Sequence, residues 1–509
     1  MRITLEQVID TAGCEVLVCP PDTQAILTTL AWDSRLAGPG SLFVAIKGEK
    51  VDGNDFICQV IAAGAGAVIA SAALSSEAVQ AASQHGALLL RAPNDDPIQA
   101  LLALAGTRRQ SLVATVVGIT GSTGKTTTKD LVSAVTARAF KTQATRGNRN
   151  TEIGLAEVLL EATEADEVIV CEMGMQALGE IERLCQAAQP HIGVITNIGV
   201  AHCELLGSRE NIARAKAELL ENLQDKSGIA ILPGDDAFTP MLRSLAALDE
   251  RQVCVVTYGL GEQNDIRATN ICYDEMGRPG FDVWTLDGLC FQVQLGLQGE
   301  HNILNALAAI AVGQRLGVST TDIVKALAEA SPAAMRQELM ETPAGDIILN
   351  DTYNANPDSM KAALALLKRL EPARRHIAVL GDMYELGPEE VNFHRQIGEF
   401  AFVNGVDELI TVGQLGQEIA AGAVAVGMAT QRVHSCLDVS EALAELRASI
   451  ASAADAGSAG AADPDAAADP AGAAGPAGSC IILVKASRGM QLERIAEALA
   501  KHDADEDTR

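Results

Sequence analysis

Short apolar runs rich in β-branched residues recur along the chain, separated by longer stretches whose apolar positions fit a helix. Val113–Ile119 is one such run and reads as a buried strand, with a helix from Thr126 to about Phe140 after it. Glu167–Cys171, Ile192–Thr196 and Ile229–Leu232 repeat the pattern, and Glu210–Leu219 reads as a helix. A later series follows at Asp346–Leu349, His376–Leu380, Glu408–Val412 and Ile481–Val484. The first hundred residues alternate shorter strands and helices, up to about Arg108–Gln110. Strands that alternate with helices predict parallel sheets with ligands at their carboxyl edges. The expected fold class is α/β in three domains, in keeping with 509 residues. These are an N-terminal α/β domain over 1–110, a central parallel sheet of the P-loop ATPase kind over 111–332, and a Rossmann-like domain over 333–509.

One stretch breaks the pattern. Residues 451–479 consist of Ala, Gly, Asp, Pro and Ser alone, with no large apolar side chain. Such a segment cannot bury enough surface to offset its ordering entropy. It is expected to be a disordered surface insertion between a helix ending near Ile450 and the strand Ile481–Val484. The charged tail His502–Arg509 is expected to fray.

Charge narrows the partners. The formal net charge is −28, which excludes the basic footprint that nucleic acid or an anionic membrane demands. Anionic ligands must therefore be met by locally basic or dipole-rich pockets. Aromatic residues make up only 3% of the chain, so the cores are aliphatic. The eleven cysteines lack paired metal spacing, and those in apolar runs, such as Cys171 and Cys254, are expected to be buried free thiols. No apolar run approaches the roughly 18 residues of a membrane span, and no basic-plus-apolar signal opens the chain, so a cytoplasmic location is expected.

The chemistry concentrates after the first of those strands. Gly118-Ile-Thr-Gly-Ser-Thr-Gly-Lys-Thr126 places a glycine-rich turn between a strand and a helix N-terminus. Backbone N–H groups and the helix dipole there face phosphates, Lys125 adds a point charge, and the Thr126 hydroxyl suits Mg²⁺. The strict P-loop spacing wants glycine at 119, where this chain has Ile119. The pattern predicts a site for ATP or GTP, and the chain has no Asn-Lys-x-Asp stretch of the kind that reads guanine.

Three further clusters follow. Thr145-Arg-Gly-Asn-Arg-Asn-Thr-Glu-Ile-Gly154 precedes a strand that ends on Glu172, where a carboxylate could hold Mg²⁺ or merely sit solvated in a loop. Thr196-Asn-Ile-Gly-Val-Ala-His-Cys-Glu-Leu-Leu-Gly207 ends another strand around His202, and a lone histidine is more often structural than catalytic. Lys216 lies on the helix after it.

This series resembles the Mur ligase family, the ATP-dependent amide-bond formers of peptidoglycan synthesis, from about Asp33 to Arg488. The family loop, T-G-x-x-G-K-T, is met by Thr120, Gly121, Gly124, Lys125 and Thr126 and dispenses with glycine at 119. The resemblance implies an ATP site of Thr120, Gly121, Ser122, Thr123, Gly124, Lys125, Thr126 and Thr127, with Asn302 from Gly299-Glu-His-Asn-Ile-Leu-Asn-Ala306, and Arg336 and Asp351 from the third domain. It further implies Mg²⁺ held by Thr126, Glu172, His202 and a carbamylated Lys216, and catalytic roles for Lys125, Glu172, His202 and Lys216.

Asn350-Asp-Thr-Tyr-Asn-Ala-Asn-Pro-Asp-Ser359 and Leu380-Gly-Asp-Met-Tyr-Glu-Leu-Gly387 resemble the family branch that adds D-alanyl-D-alanine. The Asp-Asn-Pro-Arg signature of the diaminopimelate-adding branch is missing. Asp33-Ser-Arg35, Gly40-Ser-Leu-Phe-Val-Ala45 and Asp52-Gly-Asn-Asp-Phe56 resemble the domain that holds the UDP end of the substrate, with Asn54 where a histidine is frequent. Lys485-Ala-Ser-Arg488 resembles Lys-Gly-Ser-Arg, with Ala486 in place of glycine. The implied substrates are UDP-N-acetylmuramoyl-tripeptide and D-alanyl-D-alanine, and a monomer is expected. The implied substrate contacts are Ser34, Arg35, Asn148, Asn150, Tyr353, Asn354, Asn356, Lys485, Ser487 and Arg488. Folate polyglutamylating relatives share the central chemistry, and substrate-dependent phosphate release separates them.

Overall fold

A computed structural model describes residues 1–48, 50–71, 74–200, 203–460 and 480–500. Three larger sheets carry the α/β fold. The first runs Glu15–Val18, Leu88–Arg91, Ala67–Ala70, Ser41–Val44, Thr29–Ala31, parallel except for its first strand. The central sheet has nine strands, parallel from Thr142–Ala144 through Val168–Glu172, Thr115–Thr120, Ile192–Ile195, Ile229–Pro233 and Cys254–Gly259 to Ile266–Tyr273. Beyond that edge the chain turns back twice, adding Pro279–Thr285 and Cys290–Gln294 antiparallel. That extension departs from the purely parallel sheet expected. Short turns at Gly277 and Gly288, both at positive φ, join its strands in place of crossover helices.

The third sheet orders Glu338–Glu341, Ile347–Asn350, Cys480–Lys485, Arg375–Gly381, Glu408–Val412 and Val433–Cys436, with only the first strand antiparallel. The near-continuous aliphatic runs read from the sequence are its inner strands, buried on both faces as parallel strands are. The helix Pro97–Gln110 joins the first unit to the second. Its Leu101, Leu104 and Ala105 belong to the same buried cluster as Leu155, Leu159 and Leu184 of the central unit.

Several boundaries differ from expectation. The strand expected from Val113 begins at Thr115, and Val113 is fully exposed. The phosphate-loop helix is Lys125–Thr136, ending four residues early. Cys171 is buried, but Cys254 is exposed because it opens its strand at the sheet margin. The helix expected to stop near Ile450 runs Val439–Gly460, ten residues into the low-complexity stretch. Alanine is the best helix former, so its abundance there prolongs a helix already nucleated by packing. The rest of that stretch, 461–479, and the tail from 501 lie outside the described residues.

Candidate active site

The glycine-rich turn follows the strand Thr115–Thr120, at the carboxyl edge of the central sheet. Gly121 has φ +156°, and a Cβ there would lie 1.7 Å from Thr196 Oγ1, so no other residue fits. Gly124 caps the helix Lys125–Thr136 in the left-handed region, with Asn305 Oδ1 2.5 Å from where its Cβ would stand. The next strand braces the turn. Thr123 N–H donates to Asn197 Oδ1 at 3.0 Å, Thr196 Oγ1 donates to Thr123 O at 2.6 Å, and Gly199 N–H donates to Ser122 Oγ at 2.9 Å. Lys125 Nζ reaches back to Gly121 O at 2.8 Å, and burial pulls its pKa below the ordinary lysine value.

A cavity of about 890 Å³ opens over this turn. It gathers Ser122–Thr127, Asn148, Asn150, Glu172 and Asn302 from the central unit with Arg336, Asp351, Tyr353, Asn354, Asn356, Lys485, Ser487 and Arg488 from the third. Thr120 and Gly121 lie beneath it, Thr120 fully buried with no hydrogen-bond partner for its Oγ1. Ser34 and Arg35 are not among the lining residues. They form a short turn capped by Asp33, and Arg35 is largely exposed, paired with Asp33 at 2.6 Å. Trp32 beside them lies under the Arg149 guanidinium, 5.2 Å from its ring centre, which ties that turn to the segment carrying Asn148 and Asn150.

Glu172 ends its strand almost wholly buried. Its N–H donates to Thr145 Oγ1 at 3.0 Å, and its Oε1 accepts from Asn150 Nδ2 at 3.0 Å. Its other oxygen, Oε2, is buried with no hydrogen-bond partner. Glu172 and Thr126 both line the cavity, and an unpartnered carboxylate oxygen with a hydroxyl is a hard-donor set that suits Mg²⁺. Among the described residues no group of three or more His, Cys, Asp and Glu could hold a metal. His202 lies outside the described residues. Lys216 is buried on the helix Arg209–Glu221, and its pKa falls well below the ordinary value through burial and the nearby Lys125 charge.

From the third unit, Arg336 Nη2 donates to Thr126 Oγ1 at 3.0 Å while its guanidinium lies 3.8 Å from the Tyr353 ring centre. Lys485 and Asp351, read separately in the sequence, form one buried ion pair at 2.6 Å, and Lys485 Nζ also donates to Asn354 O at 2.9 Å. Asn356 accepts from Ser359 N–H at 2.9 Å and closes a capping box on the helix Pro357–Arg369. Ser487 Oγ accepts from Tyr384 N–H, and Arg488 pairs with Glu493 at 3.0 Å. Asn302 belongs to a buried relay: its Nδ2 donates to Gln298 O at 2.7 Å and its Oδ1 accepts from Asn305, whose Oδ1 accepts from Thr128 Oγ1.

Asn197, Gln298 and Asp358 also line the cavity and were not singled out in the sequence. Asn197 lies within the Thr196–Gly207 stretch and Asp358 within Asn350–Ser359, where neither carries a local signal of its own. Lys125, Arg336, Lys485 and Arg488 line the cavity together with several carboxylates, Glu172, Asp351 and Asp358 among them, so cations for an anionic ligand are present locally in a protein of net charge −28.

Known proteins agree with this geometry. Family models match in three places: "Mur ligase family, catalytic domain" over 27–109, "Mur ligase middle domain" over 119–313, and "Mur ligase, glutamate ligase domain" over 335–462. The UDP-N-acetylmuramoyl-tripeptide–D-alanyl-D-alanine ligase of Bacillus subtilis is 36% identical, covering 95% of this chain and 95% of its own. That of Escherichia coli is 34% identical over 82% of this chain and 88% of its own. Among solved structures, MurF from Acinetobacter baumannii superposes with TM-score 0.82 at 29% identity, covering 99% of both chains. MurF ligase from Thermotoga maritima in complex with ADP superposes with TM-score 0.73 at 27% identity, covering 93% of this chain and 97% of that one. With a braced phosphate loop, a free buried carboxylate oxygen and near-complete coverage by these relatives, the chain belongs to the Mur ligase family.

Proposed function

We propose that this chain joins D-alanyl-D-alanine to UDP-N-acetylmuramoyl-tripeptide at the expense of ATP, completing the pentapeptide precursor of peptidoglycan in the cytoplasm. The observation that carries this reading is one cavity in which the phosphate loop faces the Lys485–Arg488 wall, in a chain similar end to end to ligases of that name.

A carboxylate is a poor electrophile. Its oxygen attacks the γ-phosphorus of ATP, the bond to the β-phosphate oxygen breaks, and ADP leaves an acyl phosphate. The amine of D-alanyl-D-alanine then attacks the acyl carbon, loses its proton, and phosphate departs as the amide forms. Charge builds on phosphoryl oxygens in the first half, so catalysis there is positioning and electrostatics. Lys125 and the N–H groups of Gly121–Thr127 meet that charge, and Arg336 approaches it from the third unit. Mg²⁺, when bound, offsets phosphate charge; Thr126, Glu172, His202 and a carbamylated Lys216 would hold it. An ammonium repels a cation, and the buried Lys216 favours the neutral amine that takes up CO₂. Asn302 and Asp351 stand on the nucleotide side, with Asn148, Asn150, Tyr353, Asn354, Asn356, Lys485, Ser487 and Arg488 on the substrate side. Ser34 and Arg35 serve the distant UDP end from a first domain over 1–110, joined to domains over 111–332 and 333–509. The working unit is a monomer.

Phosphate release from ATP with UDP-N-acetylmuramoyl-tripeptide, with and without D-alanyl-D-alanine, tests this. Release that needs both substrates supports it; release driven instead by an acidic amino acid acceptor overturns it.

A further inference from the structure

Three consecutive N–H groups just after the strand Arg375–Gly381 are each held by a different side chain. Asp382 N–H points to Met490 Sδ at 2.8 Å, Met383 N–H donates to His394 Nε2 at 2.9 Å, and Tyr384 N–H donates to Ser487 Oγ at 2.9 Å. The segment's acceptors are held as well. Asp382 O accepts from Ser487 N–H at 3.0 Å, and Asp382 Oδ1 accepts from Gly416 N–H at 2.7 Å. Tyr384 and Glu385 then enter the cavity wall beside Ser487 and Arg488.

Of those three anchors only His394 can change charge. It lies on the helix Glu390–Val403, fully buried, and its partners determine its tautomer. Nε2 receives a backbone N–H and must carry a lone pair. Nδ1 lies 2.6 Å from Glu390 O and must carry the proton. A second proton would set N–H against the Met383 N–H, and the anchor would fail.

We propose that His394 is a positioning residue for the ligation: its neutral imidazole locks the segment Asp382–Glu385 against Ser487, shaping the wall that receives the amino-dipeptide acceptor. The acceptor half of the reaction depends on this lock and the nucleotide half does not. The identity of the acceptor rests on the function proposed above; the lock itself does not.

The ring is faced by the carboxylates of Asp382, Glu418 and its own helix's Glu390, and Arg395 pairs with Glu418 at 2.7 Å. Burial outweighs those carboxylates and holds the imidazole pKa below its ordinary value. The folded state therefore favours the neutral ring. Its support is complete above the ordinary imidazole range and is lost as pH falls through the depressed value.

The test combines His394→Phe, which removes the acceptor, with His394→Gln, whose Oε1 can take the same N–H. In phosphate-release assays, His394→Phe raises KM for D-alanyl-D-alanine about tenfold and leaves KM for ATP within about twofold, while His394→Gln returns most of the loss. In wild type, log kcat/KM for the dipeptide steepens on the acid side of the ordinary imidazole range, beyond the slope set by the acceptor amine; in His394→Gln only the amine's slope remains. Amide exchange of the Asp382–Glu385 segment in substrate-free protein, corrected for intrinsic rates, is faster in His394→Phe and unchanged in His394→Gln. Unaltered exchange in His394→Phe, equal rises in both KM values, or a persistent second bend in His394→Gln overturns the lock. If His394→Phe fails to fold, judged by circular dichroism, the pH and exchange comparisons of His394→Gln with wild type decide. A wild type inactive with these substrates overturns the function reading instead, and exchange still decides the lock.

Discussion

At the scale of single residues, burial disturbs the ionisation of two lysines in the central unit, one in the phosphate loop and one on the helix Arg209–Glu221. Lys125 and Lys216 are both shifted toward the neutral amine, and the Lys216 shift is deepened by the Lys125 charge. Two lysines so close, with the Glu172 Oε2 atom left unpartnered, suit a site built to receive anions and a cation together. Lys125→Ala should abolish ligation, because a phosphate-clamping cation contributes on the order of several kcal/mol. Retention of more than about a tenth of wild-type phosphate release, a loss of only about 1.4 kcal/mol, would show another role. Lys216→Ala should lose most activity and regain part with added short-chain carboxylates, which can supply the missing anion. Lys216→Gln should not substitute, because an amide oxygen brings no full charge to the metal. Unchanged turnover in Lys216→Ala would remove the carbamate from the scheme. The phosphate loop with Lys125 was legible because its turn is a local pattern, whereas a role for Lys216 comes only from the family resemblance. Asn197 and Gln298 were not, since their roles arise from which side chains the fold brings to the loop.

At the scale of elements, the parallel strands were the most legible part, because burial on both faces leaves unbroken β-branched runs. The antiparallel extension was hidden. Ile266–Tyr273 is buried only at alternate positions, and its partners carry polar residues on their outer faces. Such strands look like loop sequence unless their turns are recognised. The helix Val439–Gly460 exposes a different weakness in composition arguments, since alanine lacks core-forming bulk yet extends a helix readily. A variant in which 461–479 is replaced by a short Gly/Ser link should keep its melting temperature and turnover near wild type. A shorter version that also removes Ala451–Gly460 should lose a little stability, because that run continues an established helix. Differential scanning calorimetry separates the two, and a large loss from the first change alone would mean that the segment packs against or binds something.

At the scale of the whole molecule, the third unit touches the central one at both ends of its first helix. Arg336 and Asp358 approach the phosphate loop, while Arg369, at the far end of Pro357–Arg369, lies 4.0 Å from the Tyr273 ring centre and pairs with Glu300 at 2.7 Å. Leu366 and Leu370 stand where a side chain at Gly277 would go, closing that contact against the antiparallel extension. The turn at Gly277 that leads into the extension is thus one of the two seats of the third unit. Arg369→Ala should raise KM for ATP by about two- to tenfold, the scale of one partly exposed cation–π and ion pair, with kcat less affected. Its melting temperature should barely move, since each sheet keeps its own core. An unchanged KM would mean that the contact at Arg336 alone aligns the units.

One strand divides the molecule's fate in evolution. Cys480–Lys485 delivers Lys485, Ser487 and Arg488 to the cavity from its carboxyl end, while the low-complexity stretch rejoins it at Cys480. The two ends are separated by about 17 Å of extended backbone. Any change of length before this strand must stop short of Cys480, which is buried and donates its N–H to Asp346 Oδ1 at 2.7 Å, while the other end must keep its three side chains at the cavity. A tag, a fluorophore or a surface tether spliced into 461–479 should therefore leave a working ligase wherever the Gly/Ser replacement of that stretch keeps its turnover.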